Sequence, residues 1–456
     1  MNTTLRFHSG LDTIGGVILE IRYGNDRIFL EAGSAYYPDS QLPDKSDNLI
    51  SYYLKTNQIP HINGIFPEKY LLEYSDIIPS EKYEGNQAFF ISHLHLDHMK
   101  LMGLIDPDIP VYLSKPAQIL ESALEDIGEG VDTIRGLNYS DMKEEISVGN
   151  IKVTPILLND FSYQDYSFYI ETPDLKIHYT GDIFIYGPYK ENILHKEIPF
   201  LNKKGVDILV CEGTTFHSEH TYDNIVHSID EPVSLDKLHQ RIINKINSHK
   251  GLCLFNIYDR EMSDVSFFMN YADKTGRTIV FDSKTAYLYN RFFNKSTNYI
   301  VEDNTDESEY LKYVKEHNNP VTREEILNNP SEYLLQTDYE HLNELKDYSN
   351  LNCLYLHHSG MPLGPFDCRY QKMLDYLESL NIEYCYDYKD KDGIFSPHAV
   401  PEQLLAYIDM VNADLVVPCH TSNRKEYIRN INHNSYCCLE NKTYTYNKDK
   451  KTLEEM

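Results

Sequence analysis

Four side chains able to bind metals fall within six residues, His93-Leu94-His95-Leu96-Asp97-His98. They follow directly on Gln87-Ala-Phe-Phe-Ile-Ser, an apolar run of the kind found in a buried strand. On a tight loop at a strand end, alternation sends His93 and His95 to one side and Asp97 with His98 towards a second point. Imidazole and carboxylate together suit zinc, and also iron or manganese. A solvated histidine-rich loop is the plainer alternative. It is weakened by two distant elements, Thr180-Gly181-Asp182 and Pro418-Cys419-His420, each of which follows an apolar run and ends in a metal-type ligand.

The 456 residues leave room for two or three domains. Short strands bounded by turns are read at 16–22, 27–31, 87–92, 110–113, 151–155, 167–171, 175–179 and 207–211. After Glu212 the rhythm changes. Helices are read at 235–249, 262–273, 307–317, 323–345 and 368–380, and strands at 251–257, 278–282, 352–356 and 382–386. That alternation implies a parallel, Rossmann-like sheet. Residues 394–422 return to the earlier style, with a helix over 400–411 and a strand at 414–418. The division is 1–212, an inserted α/β module at 213–393, and 394–456 completing the first domain. No run approaches the ~18 apolar residues of a membrane span, and the N-terminus has no apolar core of a signal peptide. A cytoplasmic protein without membrane contact is expected. The eight cysteines contain no CxxC, and buried reduced thiols are the expectation.

The set resembles the metallo-β-lactamase fold superfamily, in which an HxHxDH loop, a later Gly-Asp and a His after a late strand stand in this order. Val210-Cys-Glu212-Gly-Thr-Thr, Ser396-Pro-His398-Ala and Val417-Pro-Cys-His420-Thr resemble motifs A, B and C of its β-CASP subgroup, which includes ribonuclease J. The resemblance implies an αββα sandwich with an inserted Rossmann-like β-CASP domain. It implies a two-metal site with Zn²⁺ foremost and Mn²⁺ or Fe²⁺ as alternatives. His93 and His95 would bind the first ion. Asp97, His98 and His420 would bind the second, and Asp182 would bridge. The catalytic roles would fall to Asp97, to His398 as proton donor or phosphate contact, and to Glu212 as a carboxylate orienting a histidine. Related proteins often dimerise, so a homodimer is also implied.

Three positions depart from the family pattern. Asp160 stands where a further His ligand is usual; either it ligates or the loop has drifted. Glu31 replaces an Asp that usually braces the HxHxDH loop, and it either braces or has no special role. Pro397 replaces a Gly and leaves the placement of His398 open. Among other residues, His8 reads as a surface side chain near the site rim and His178 as core or supporting. His217 and His220 read as a solvated loop. His357 and His358 could line a cleft. Arg424, Lys425 and Arg429 could meet a phosphate or simply face water.

RNA, or another phosphodiester, is the substrate the resemblance implies. The balance of 42 basic against 70 acidic residues, a formal charge of −28, argues against a broad non-specific grip on nucleic acid. Two alternatives follow: a hydrolase of a small anionic substrate, and a non-catalytic relative acting as a binding subunit.

Overall fold

The computed structural model describes the chain apart from residues 36–44, 47, 160–163, 218–219, 259, 302–307, 365–366, 387–388, 391–392 and 395. For residues 386, 389, 390, 393 and 394 it describes the backbone alone. The chain divides into two compact units. The first holds Met1–Gln118, Val131–Glu231 and Pro397–Met456, and the second Ile119–Gly130 and Pro232–Ser396. Residues 213–231 therefore belong to the first unit.

Two sheets build the first unit. One runs, in spatial order, Thr452–Glu455, Thr443–Asn447, Thr4–Ser9, Ile18–Tyr23, Asp26–Leu30, Gln87–Phe90, Val111–Leu113 and Ser140–Asp141. The other runs Leu415–Cys419, Ile208–Glu212, Lys176–Tyr179, Asp165–Glu171, Ile151–Asn159 and Ile146–Val148. Alternation along the strands decides how they stack. Leu5, Phe7, Leu19, Ile21, Ile28, Leu30 and Phe90 of the first sheet share one core with Phe168, Ile170, Ile177, Ile208, Val210, Leu415 and Val417 of the second. The intervening residues Tyr169, Leu209, Cys211 and Val416 point the other way. They pack with Leu404, Leu405, Tyr407 and Ile408 of the helix Pro401–Val411. Ile208–Glu212 is buried on both faces, which is why it reads as an unbroken apolar run rather than an alternating one.

Strand direction positions the site. Lys176–Tyr179, Ile208–Glu212 and Leu415–Cys419 are mutually parallel, as are Asp26–Leu30 and Gln87–Phe90. Within each set the carboxyl ends therefore emerge at the same edge, where open sheets with parallel strands present their ligands.

The second unit carries a wholly parallel sheet in the order Thr278–Val280, Tyr333–Gln336, Cys253–Asn256, Leu354–His357 and Glu383–Tyr386. Helices cover it. Met373 and Leu377 of the helix Cys368–Ser379 join the core with Leu254, Leu335 and Tyr355, and Phe268 of Met262–Thr275 stacks on Phe255 at 4.3 Å. The single helix expected over 323–345 does not form. Arg323–Asn328 is a short helix with a Thr322–Glu325 capping box, and Pro330 follows it. Proline lacks the N–H a continuing helix needs. Tyr333–Gln336 is then an interior strand, held between two neighbours whose pairing outweighs the helical spacing of its surroundings. Ser283–Phe293 is a helix that periodicity did not reveal. Among the described residues no helix is long and apolar enough to cross a membrane.

Candidate metal centre

Most of the side chains that build the site lie at or just beyond a strand's carboxyl end, and Asp97 and His98 sit on the short helix Leu96–Met99. Glu31 follows Asp26–Leu30, His93 follows Gln87–Phe90, Asp182 follows Lys176–Tyr179, Glu212 closes Ile208–Glu212, and His420 follows Leu415–Cys419. Donor atoms gather in three groups, His93 with His95 and Asp182, Asp97 with His98 and His420, and Asp182 with Glu212 and His420. His93 Nε2 lies 3.1 Å from His95 Nδ1 and 3.6 Å from Asp182 Oδ2. His98 Nε2 lies 3.1 Å from Asp182 Oδ1 and 3.8 Å from Asp97 Oδ2. His420 Nε2 lies 3.2 Å from Asp97 Oδ2 and 3.9 Å from Asp182 Oδ1. Asp182 thus turns one oxygen to each of the first two groups.

These spacings suit ions. Four ligands arranged tetrahedrally at about 2.0–2.1 Å from zinc stand about 3.3–3.4 Å apart, in the middle of the observed range. His98 is 1% exposed, and neither of its ring nitrogens makes a well-aligned hydrogen bond, nor does Asp182 Oδ1. Buried polar atoms without such partners are costly, and divalent ions would satisfy them.

Charge within the cluster is polarised. Burial works against ionisation of Asp182, but His98, His398 and His420 outweigh it and hold the carboxyl well below the usual range. Burial would lower His98, yet Asp182 and Asp97 raise it well above an ordinary histidine. His93 goes the other way, lowered by burial and by the neighbouring imidazoles. An incoming ion would displace the proton on His98, so binding would release protons.

Two of the histidines have Nδ1 hydrogen-bonded and a third has Nδ1 beside a carboxylate, which leaves Nε2 facing the carboxylates. His93 Nδ1 pairs with Ser92 Oγ at 2.8 Å and His420 Nδ1 with Thr214 Oγ1 at 2.8 Å. His98 Nδ1 lies 3.4 Å from Glu31 Oε1, while Glu31 Oε2 accepts from Ser92 N at 3.1 Å. Glu31 is fully buried and braces the loop from both ends. It does so from a left-handed backbone, φ 66°, and His420 is likewise at φ 51°. Such strain in side chains with a Cβ gathers where tertiary contacts over-determine the conformation.

Glu212 accepts from Ile183 N at 3.0 Å and Thr214 N at 2.9 Å, and its Oε1 lies 3.4 Å from His398 Nδ1. It therefore fixes both the chain after Asp182 and the residue that holds His420. His398 Nδ1 also lies 3.6 Å from Asp182 Oδ2. Burial opposes its charge, but Asp182 and Glu212 carry its pKa up to about 9. Pro397 has not removed His398 from the cluster.

Sequence reasoning missed Gly15 and Gly33. A Cβ on Gly15 would stand 2.3 Å from Asp97 Cβ, and one on Gly33 only 1.7 Å from Asp97 O. Both glycines let the Asp97 turn approach the first strands, and only the pairing of these distant segments discloses it.

Asp160 lies outside the described residues. His8 is not a surface side chain. It is 4% exposed and pairs with Glu20 at 2.9 Å, because the sheet and Phe29 cover it. His178 is core, bonded to Phe168 O and the Tyr407 hydroxyl. His217 and His220 are exposed, their carbonyls accepting from Asn423 Nδ2. His357 and His358 are buried in the second unit. Arg424 is buried too; it binds Asp12 and donates to Cys438 O, so it supplies no phosphate hook. Arg429 is taken by Asp223 and Glu426.

No family model matches the sequence, and no curated protein matches it. A crystal structure of a protein of unknown function from Enterococcus faecalis V583 shares the fold. It covers 98% of this chain and 100% of its own, with a TM-score of 0.77 and 25% identity. The metallo-beta-lactamase fold protein YhfI from Bacillus subtilis matches over 48% of this chain and 75% of that one, with 14% identity and a TM-score of 0.27. A likeness that slight carries no weight; the strand order and the donor set carry the reading of this chain.

Proposed function

We propose that the chain is a two-metal hydrolase of the metallo-β-lactamase fold, acting on a phosphodiester. The observation that supports it is the pair of donor groups joined through the two oxygens of Asp182. His93, His95 and Asp182 would hold one ion, and Asp97, His98, His420 and Asp182 the other. When bound, the ions would supply Lewis-acid stabilisation of phosphoryl charge and acidify a water to near-neutral pKa. Asp182 would fix the relation between the two donor groups. His398, protonated at Nδ1 against Glu212, would pass its Nε2 proton to the leaving oxygen. Glu212 would keep that imidazole oriented and charged.

RNA is the first substrate to try. A small anionic phosphodiester is the second reading, favoured because Arg424 is buried against Asp12, Arg429 is in a surface ion pair with Asp223, and the chain is strongly acidic. The test is turnover of a dinucleotide against a 20-mer by metal-loaded protein, with the Asp97→Ala/His98→Ala double variant as control. A preference for the 20-mer supports an RNA nuclease, and a preference for the dinucleotide supports the small substrate. Full turnover by the double variant would remove the mechanism. No turnover of either substrate by two-ion protein would point to the binding-subunit alternative.

A further inference from the structure

We infer, on the phosphodiesterase reading above, that Ile14 and Leu96 form an apolar shelf at the rim of the Asp97 donor group. The shelf receives the flat ring of a nucleobase carried by the group that stays on phosphorus during cleavage. Ile14, Leu96 and the donors they border all belong to the first unit.

Two turns far apart in the sequence meet here. Leu96 stands between His95 and Asp97 and opens the short helix Leu96–Met99. Ile14 precedes Gly15, and a Cβ on Gly15 would stand 2.7 Å from Asp97 Oδ2. Gly16 N donates to Asp97 O at 2.8 Å, and Thr13 Oγ1 donates to Gly15 O at 2.8 Å. Both side chains are therefore carried by backbone pinned beside the same carboxylate. Yet Ile14 is 43% exposed and Leu96 36% exposed. Single exposed apolar side chains are ordinary. Here two are brought to one edge of a polar donor cluster, by an approach that only glycine permits. Apolar walls around a few placed polar groups are the common makeup of small-molecule sites.

The chemistry of the rim agrees. Arg424 reaches this turn, but Asp12 holds its Nε at 2.6 Å, so its charge is already matched. A ring laid on Ile14 and Leu96 takes apolar surface of both partners out of water. It is gripped without any positive charge, which suits a chain of formal charge −28. His398 Nδ1 lies 3.4 Å from Glu212 Oε1 and 3.6 Å from Asp182 Oδ2, whereas the shelf borders Asp97. The leaving oxygen belongs with its proton donor, so the shelf serves the retained group.

The test compares two substrates of the full-length, metal-loaded protein, thymidine 5′-p-nitrophenyl phosphate and methyl p-nitrophenyl phosphate. Both release p-nitrophenol and differ only in the group that is retained. Wild type should prefer the thymidine ester at least about tenfold in kcat/KM, chiefly through KM, as an apolar contact discriminates between substrates. In Ile14→Ser/Leu96→Ser that ratio should fall close to one, and in Ile14→Val/Leu96→Met it should persist. Saturation-transfer NMR with thymidine 5′-phosphate should detect the base protons against wild type and lose them in the serine variant. Ion content of that variant, by mass spectrometry, should match wild type. A wild-type ratio near one overturns the inference whether or not the variants fold. A high ratio that survives in the serine variant also overturns it. Turnover of both esters without preference would leave the metal hydrolase standing; turnover of neither by two-ion protein would remove both.

Discussion

Each unit of this protein buries a knot of histidine and aspartate at the carboxyl ends of parallel strands, and the two knots are built on opposite logic. In the second unit most of the polar groups pair with one another, Asn256 Oδ1 excepted. Ser359 Oγ donates to Asp264 and accepts from Tyr258 N, His358 Nε2 lies 3.3 Å from Asp264 Oδ1, and Asn256 Nδ2 donates to the Tyr355 hydroxyl and to Met361 O. The result is a staple between the loops that follow Cys253–Asn256 and Leu354–His357. In the first unit donor atoms from distant segments converge at 3.1–3.9 Å; His420 Nε2 is within hydrogen-bond distance of Asp97 Oδ2, but both ring nitrogens of His98 and Oδ1 of Asp182 lack a well-aligned partner. The lesson is that burial of His and Asp together does not mark a metal site. What marks it is a set of donor atoms that converge at ligand spacing, some of which, as in His98 and Asp182, the protein leaves without a well-aligned partner.

The contrast yields four expectations. The largest concerns ions. Asp97→Ala/His98→Ala should lose ion binding at its group and at least about 100-fold in turnover, as removal of transition-state charge stabilisation generally does. His358→Ala should leave ion content unchanged, by mass spectrometry of protein prepared without chelator. Ion loss on changing His358 would erase the distinction. Next comes stability. Asp264→Ala breaks a buried pair and should cost about 3–5 kcal/mol in chemical denaturation, with no change in ion content.

Third, the two knots should respond differently to acid. His357, buried in the second unit, has its pKa lowered to about 4, chiefly by burial. The unfolded chain takes up that proton near pH 6.5, so the folded state binds fewer protons between the two values. Stability should therefore fall as pH drops from about 6.5 to 4, by up to about 3 kcal/mol for this group. His357→Gln should flatten that part of the denaturation profile. The smallest effect belongs to the surface. The hydrogen bond to Asp338 raises His341 to about 9. Its stabilisation is complete below about pH 6.5 and lost as pH rises through 9. With the imidazole 46% exposed, it should amount to less than about 1 kcal/mol, checked by NMR titration and by His341→Gln.

Much of the site was legible because it is local. His93, His95, Asp97 and His98 sit within six residues, and the short helix Leu96–Met99 carries Asp97 and His98 to a second group. Asp182, Glu212 and His420 were legible because each ends an apolar run, and strand ends are where parallel sheets deliver side chains. Other features were not legible, since no neighbour in sequence signals them. Arg424 could be read as a phosphate contact or a solvated side chain, whereas Asp12, more than four hundred residues away, takes its guanidinium. His8 looked exposed until Glu20 and Phe29 enclosed it. Residues 323–345 looked helical until two flanking strands drew in Tyr333–Gln336.

The sequence by itself determined the chemical identity of the donors, the strands that carry them and the βα rhythm of the second unit, because periodicity and strand-end placement are encoded over a few residues. Tertiary structure alone decided how those donors are held. The left-handed turn at Glu31 brings its carboxylate to His98 and Ser92, Gly15 and Gly33 make room for the Asp97 turn, and Asp182 is set with one oxygen towards each group. Each of these is a contact between segments far apart in the chain, fixed by the stacking of two sheets, and packing at that range leaves no local pattern to read.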